Sequence, residues 1–192
     1  MVSRFKVFLS VVLFFFFAST VFAGDYAVDK GSALVSGTFS FANASGDLYE
    51  EDGNSATTIS LNPSVLYFVI PNFAVGGNFL LAHTSQGDAS MSALAIGPKV
   101  AYFIGGPNSK VYPYFGAGFA YVRQSVSLGG GDDFTISGTK ISLGAGAAVM
   151  VKPHWALVFE GAYNLDNMKP ENEESVSGNI FAVSVGIAGF IF

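Results

Sequence analysis

Cysteine does not occur in this 192-residue chain. Its absence excludes a disulfide framework and thiol-ligated metals, and in an oxidising compartment it avoids mispairing. Charge is scarce as well: charged residues make up 12% of the chain against 51% apolar ones, an unusual balance for a soluble domain of this size. Long apolar runs are also missing. Beyond residue 23 no stretch approaches the roughly 20 apolar residues that a membrane-spanning helix requires. Bases are outnumbered, 9 to 14, and the net charge of −5 argues against a nucleic-acid partner. The excess apolar surface must still face something other than water. With no helix to span lipid, the remaining solution is a closed β-barrel, which satisfies every backbone hydrogen bond between strands.

The start of the chain reads as a targeting segment. Arg4 and Lys6 form a positive region, VFLSVVLFFFFA follows as an apolar stretch, and Val21-Phe22-Ala23 fits a small-x-small cleavage site. Residues 1–23 are therefore expected to be a signal peptide for Sec-type export, and residues 24–192 a single barrel domain. Cleavage would remove Arg4 and Lys6 and no acid, taking the net charge from −5 to −7.

From residue 31 onward, period-two alternation recurs eight times, separated in turn by long and short breaks. The pattern predicts an all-β, eight-stranded antiparallel up-and-down transmembrane barrel. Its strands fall at about 32–43, 56–69, 73–83, 91–103, 111–123, 138–151, 155–165 and 179–192. Val35 and Phe39 share an apolar face opposite Ser36, Thr38 and Ser40, and Trp155, Leu157 and Phe159 lie opposite Ala156 and Glu160. Small inward residues such as Gly116, Gly118 and Ala120 suit a narrow lumen filled by side chains. Tyr67, Phe73, Tyr102, Tyr112, Tyr114 and Trp155 gather beside the short breaks, as an interfacial girdle would. Most of the 14 acids lie in the four long breaks, ASGDLYEEDGNS, TSQGDAS, QSVSLGGGDDFTIS and DNMKPENEESVSG.

The signal, the eight-strand meander, the PYFGAGFAYV segment and the terminal phenylalanine together resemble the small outer-membrane β-barrel superfamily that includes OmpX, Ail and the OmpA membrane domain. The resemblance implies residence in the outer membrane of a Gram-negative, diderm bacterium. It also implies insertion by the barrel-assembly machinery, with Phe190 and Phe192 as the assembly signal. Ile187 stands where that signal usually carries glycine. Phe190 and Phe192 also fall on the face opposite Phe181, Val183, Val185 and Ile187, and a β-bulge near Gly189 would reconcile the two.

Catalytic candidates are few. His83-Thr84-Ser85 is similar to the His-x-Ser arrangement of outer-membrane lipid A deacylases, but no Asn-Ala-Gly follows and no carboxylate has the expected spacing. His154 reads as a turn residue beside Trp155. Asp47, Glu50, Glu51 and Asp52, like Glu171, Glu173 and Glu174, offer oxygen ligands for a divalent cation without EF-hand spacing, so they read as solvated loops sharing bridging ions with lipopolysaccharide. Lys99 and Glu160 are both predicted inward at similar depth on opposing walls, where a lone charge would be costly and a pair tolerable.

The function expected is that of a non-enzymatic surface protein. The barrel would carry acidic extracellular loops acting in envelope integrity, adhesion or host-factor evasion. It would work as a monomer without a cofactor, with outer-membrane lipid, lipopolysaccharide and an extracellular ligand of the loops as partners. A lipid A-modifying enzyme and a small pore are the rivals.

Overall fold

The computed structural model describes residues 24–44, 56–86, 89–128, 132–169 and 176–192. The expected signal peptide, Asp47, Glu50, Glu51, Asp52, Glu171, Glu173 and Glu174 lie outside them. Eight strands follow in order: β1 (Ala33–Ala44), β2 (Ala56–Ile70), β3 (Phe73–Gln86), β4 (Ala89–Phe103), β5 (Val111–Leu128), β6 (Asp132–Lys152), β7 (Trp155–Lys169) and β8 (Val176–Ile191). Each pairs antiparallel with its neighbour, and β8 returns to β1 to close the barrel. The alternation legible in the sequence is the alternation of the wall. Val35, Phe39, Leu61, Ile96, Phe115, Leu143 and Phe159 are exposed on the outer belt, where lipid is their solvent.

Three expectations are corrected. The breaks TSQGDAS and QSVSLGGGDDFTIS are largely strand: rungs run to Gln86↔Ala89 and to Leu128↔Asp132. Ser, Thr, Val, Ile and Phe in those segments favour extended backbone and pair across the hairpin, as Val126↔Phe134 does. Second, Tyr112 and Tyr114 do not belong to the girdle; both are buried, whereas Tyr67, Tyr102 and Trp155 are exposed. They share parity with Gly116 and Gly118 and so point inward. Third, no bulge interrupts Gly189. The β1–β8 rungs run unbroken from Ala33↔Ile191 to Phe39↔Val185, and Phe190, 2% exposed, is a true inward residue.

These inward aromatics close one end of the lumen. At the turn end, marked by Pro71-Asn72 and Pro153-His154, one apolar cluster joins Leu34, Leu66, Phe68, Phe103, Tyr112, Tyr114, Val158 and Phe190. The rings of Phe68 and Phe103 lie 5.3 Å apart, those of Phe103 and Tyr114 5.0 Å apart, and those of Tyr112 and Phe190 6.2 Å apart. Residues 24–32 cross beneath this cluster. Gly31 N donates to Phe68 O at 2.9 Å, Phe68 N to Ser32 O at 2.9 Å and Asn72 N to Val28 O at 2.8 Å. Val28 is 0% exposed and belongs to the same cluster, so the segment is part of the core. Asn72 makes its bond from the left-handed region, φ 69°, which asparagine tolerates better than most residues.

Candidate lumen site

Above the apolar cluster the inward residues become small and polar, and the lumen opens. Lys99 on β4 and Glu160 on β7 are brought together there across three strand intervals, with Nζ donating to Oε2 at 3.1 Å. Their side chains keep 18% and 10% of their exposure, so the pair is shielded without being dry. The Tyr114 hydroxyl donates to the same Oε2 at 2.8 Å. A tyrosine from the apolar end thus completes the bonding of the carboxylate. Gly146 makes room for it, since a Cβ there would meet Tyr114 Cζ and Oη at 2.8 Å.

A second pair was not foreseen. Lys140 on β6 and Asp166 on β7 occupy one rung, with Nζ and Oδ1 3.4 Å apart. That oxygen has no aligned hydrogen bond, so the contact is coulombic. The parity of Ser142 and Asn164 carried this signal, but ending the seventh strand at Leu165 put Asp166 in a loop.

The cavity above Lys99 and Glu160 measures about 570 Å³, within the range of small-ligand sites. Thr38, Ser40, Thr58 and Ser60 give one wall its hydroxyls, tied as Ser40–Ser60 at 2.6 Å and Thr58–Thr84 at 2.9 Å. The wall of β3 to β5 carries an apolar patch, with Leu80 and Met168 packed on Ala95, Ala120 and Val122, among the polar Asn78, Thr84 and Gln124. Two pairs of opposite charge leave the lumen with no net charge, which favours neither anion nor cation.

The other candidates stand apart. His83 Nδ1 lies 3.0 Å from Ser92 Oγ on the exposed side of the wall, so its hydroxyl partner is not Ser85. His154 accepts a turn role: its carbonyl receives Phe190 N at 2.9 Å and its ring lies 4.6 Å from Phe192. Phe190 and Phe192 are thus separated, one in the core and one over the turn. Among the described residues no group of three or more His, Cys, Asp or Glu is arranged to hold a metal ion.

Comparison with known proteins gives the same architecture. Neisserial surface protein A (NspA) superposes with a TM-score of 0.56 at 23% identity, over 85% of this chain and 100% of that one. OprG from Pseudomonas aeruginosa gives 0.54 at 14% identity, covering 86% and 99%. Ail, the attachment invasion locus protein of Yersinia pestis, gives 0.51 at 17%, covering 84% and 99%. No curated protein sequence matches the chain. The family model described as outer membrane protein beta-barrel domain matches residues 9–188. A closed eight-stranded wall with an apolar belt, matched over nearly its whole length by that model, is an outer-membrane protein of the Gram-negative envelope, and the chain belongs to the outer membrane protein beta-barrel domain family.

Proposed function

We propose that this protein is a non-enzymatic surface scaffold, exported after cleavage behind Ala23, whose acidic connections act outside the cell in envelope integrity, adhesion or host-factor evasion. The polarity of the chain carries the reading. Carboxylates gather in the connections at one end, while residues 24–32 and an aromatic cluster close the other. An even number of strands puts both chain ends on one side of the membrane, the periplasmic one, so the acidic connections face outward. There they can share divalent cations with lipopolysaccharide phosphates and stay available to an extracellular ligand.

The test compares cells lacking the protein with cells carrying the wild type or a variant with Glu50→Gln, Glu51→Gln and Asp52→Asn. Adhesion, dye permeability and serum survival are measured in all three. At least one should change between the deletion and the wild type, with the variant shifted toward the deletion. Three indistinguishable strains, together with release of an acyl chain from lipopolysaccharide by the purified protein, would replace the scaffold by an enzyme. Single cysteines at Glu51, Asp88, Asp132 and Glu173 should react with an impermeant thiol reagent on intact cells, while one at Asn108 stays silent. Labelling at Asn108 alone would invert the topology.

A further inference from the structure

The wall has a seam. Among the described residues β1 and β8 share rungs only from Ala33↔Ile191 to Phe39↔Val185, and Ser40–Ala44 and Ile180–Ser184, which face each other in that register, do not pair across the junction. β8 instead keeps its full pairing with β7, up to Met168↔Val176. This stretch lies at the height of the apolar belt, because Phe181 pairs with Tyr163 and Val183 with Gly161. Phe181 and Val183 are 70% and 69% exposed, the highest values on the belt, as expected beside a missing neighbour. The Phe181 ring does not cover the gap. It lies over Gly161 on β7, where a Cβ would stand 3.5 Å from Cζ, on the side away from β1.

The cavity reaches this seam. A closed wall shows the lumen only alternate residues, yet β8 lines the cavity without a break from Ile180 through Ser184, outward and inward residues alike. Across an eight-stranded barrel the strands facing the β1–β8 junction are β4 and β5, and they carry the apolar patch of Ala95, Ala120 and Val122, against which the partly buried Leu80 of β3 and Met168 of β7 pack. Unpaired backbone beside hydrocarbon is unfavourable, so the gap needs either an occupant or a route to polar surroundings. Hydroxyls at Ser40 and Ser184 supply the second on the lumen side, and the patch opposite supplies an apolar floor.

We propose that the seam is a lateral entrance through which an acyl chain of a surrounding membrane lipid passes from the outer leaflet into the lumen and lies against the β3–β5 patch. The headgroup stays at the interface, and the Lys99–Glu160 pair with its aromatic neighbours stops the chain from going deeper. No bond is made or broken. The uncharged patch fits a hydrocarbon better than a sugar or an ion.

The wild-type barrel, refolded in phosphatidylcholine vesicles whose lipid bears a diazirine in one acyl chain, is irradiated, and labelled peptides are mapped by mass spectrometry. A parallel sample carries the photoreactive chain as free fatty acid, to distinguish bilayer lipid from free acid as the source. Labels are expected on Leu80, Ala95 and Val122 as well as on belt residues such as Phe159. Joining Ser40→Cys to Ser184→Cys by a disulfide should cut lumen labelling at least tenfold, leave belt labelling unchanged and be reversed by reduction. Ala95→Glu, checked for folding by its heat-modifiable migration, should give the same loss without closing the seam. Labels confined to the belt, lumen labelling that survives the locked seam, lumen labelling by the free acid alone, or β8-to-β8 cross-linked dimers would each overturn the proposal.

Discussion

The lumen below Glu160 and the lumen above it share strands and inward parity, yet the first is packed and the second open. The space among Leu34, Leu66, Phe103, Tyr114 and Val158 shrinks to about 20 Å³, against about 570 Å³ above. Eight strands set a radius, and side-chain size decides whether that radius is filled. Phe68, Phe103, Tyr112 and Phe190 fill it at the turn end; Ser60, Ala82, Ala93, Gly118, Ser142 and Ala162 do not at the loop end. The stability of the barrel should therefore be concentrated beneath Glu160, and its capacity for binding above it.

The strongest test removes core volume. Phe190→Ala should lower the unfolding free energy in detergent micelles by about 3 to 5 kcal/mol, since the rings around it can close the gap only in part. Leu80→Ala, in the open half, should cost less than half as much. Equal losses would dissolve the distinction between the halves.

The charges at the boundary come next. Lys99→Met and Glu160→Gln should each destabilise by roughly 1 to 5 kcal/mol, and the double variant by less than the sum of the two. Strict additivity would mean that the 3.1 Å contact contributes nothing. Tyr114→Phe removes one donor from the same carboxylate and should cost about 1 kcal/mol. In the wetter half, Asp166→Asn should change stability by no more than about 1 kcal/mol, because its partner stands at 3.4 Å without an aligned hydrogen bond. A larger loss there than at Glu160 would reverse the ranking of the two sites.

Phe192 gives the smallest effect on the folded state. Its ring rests on His154 and packs, only partly buried, against the edge of the sealed cluster, so deleting it should reduce refolding in detergent only modestly while lowering insertion in cells severalfold. Equal loss in both assays would assign it to packing instead.

How much of this could be read from the chain depended on the range of the interaction. Inward and outward parity was legible along most of the wall, because lipid on one side and a narrow lumen on the other enforce period two; in β8 the sequence suggests a bulge beside the inward Phe190 that the unbroken rungs do not show. The lysine and glutamate of the boundary were legible for the same reason. Tyr112 and Tyr114 were misassigned although their parity with Gly116 was in plain view; proximity to a turn was given more weight than the face they occupy. The hairpin of β5 and β6 was cut short because glycine and aspartate at its tip read as loop before the Ser, Thr and Val pairs on either side were counted. Residues 24–32 carry no motif, and their burial depends on Phe68 and Asn72, some forty residues away in sequence. The seam was equally hidden, since where β1 and β8 part company depends on strand stagger around the whole ring.

That hairpin has a mechanical consequence. β5 and β6 contain 18 and 21 residues, whereas about 9 to 11 cross the hydrocarbon. At about 3.3 Å per residue and a tilt near 40°, the longer strand rises about 50 Å along the barrel axis, roughly twice the height of the apolar belt. The surplus is a projecting flap of sheet in which β5 pairs with β6 from Arg123↔Ser137 to Leu128↔Asp132 and with β4 from Leu94↔Arg123 to Ser90↔Ser127, so that it is braced on both sides of β5 and rooted in the wall. It holds its outermost described rung, Leu128↔Asp132, well above the lipid surface, so that a load applied at that rung is delivered to the barrel.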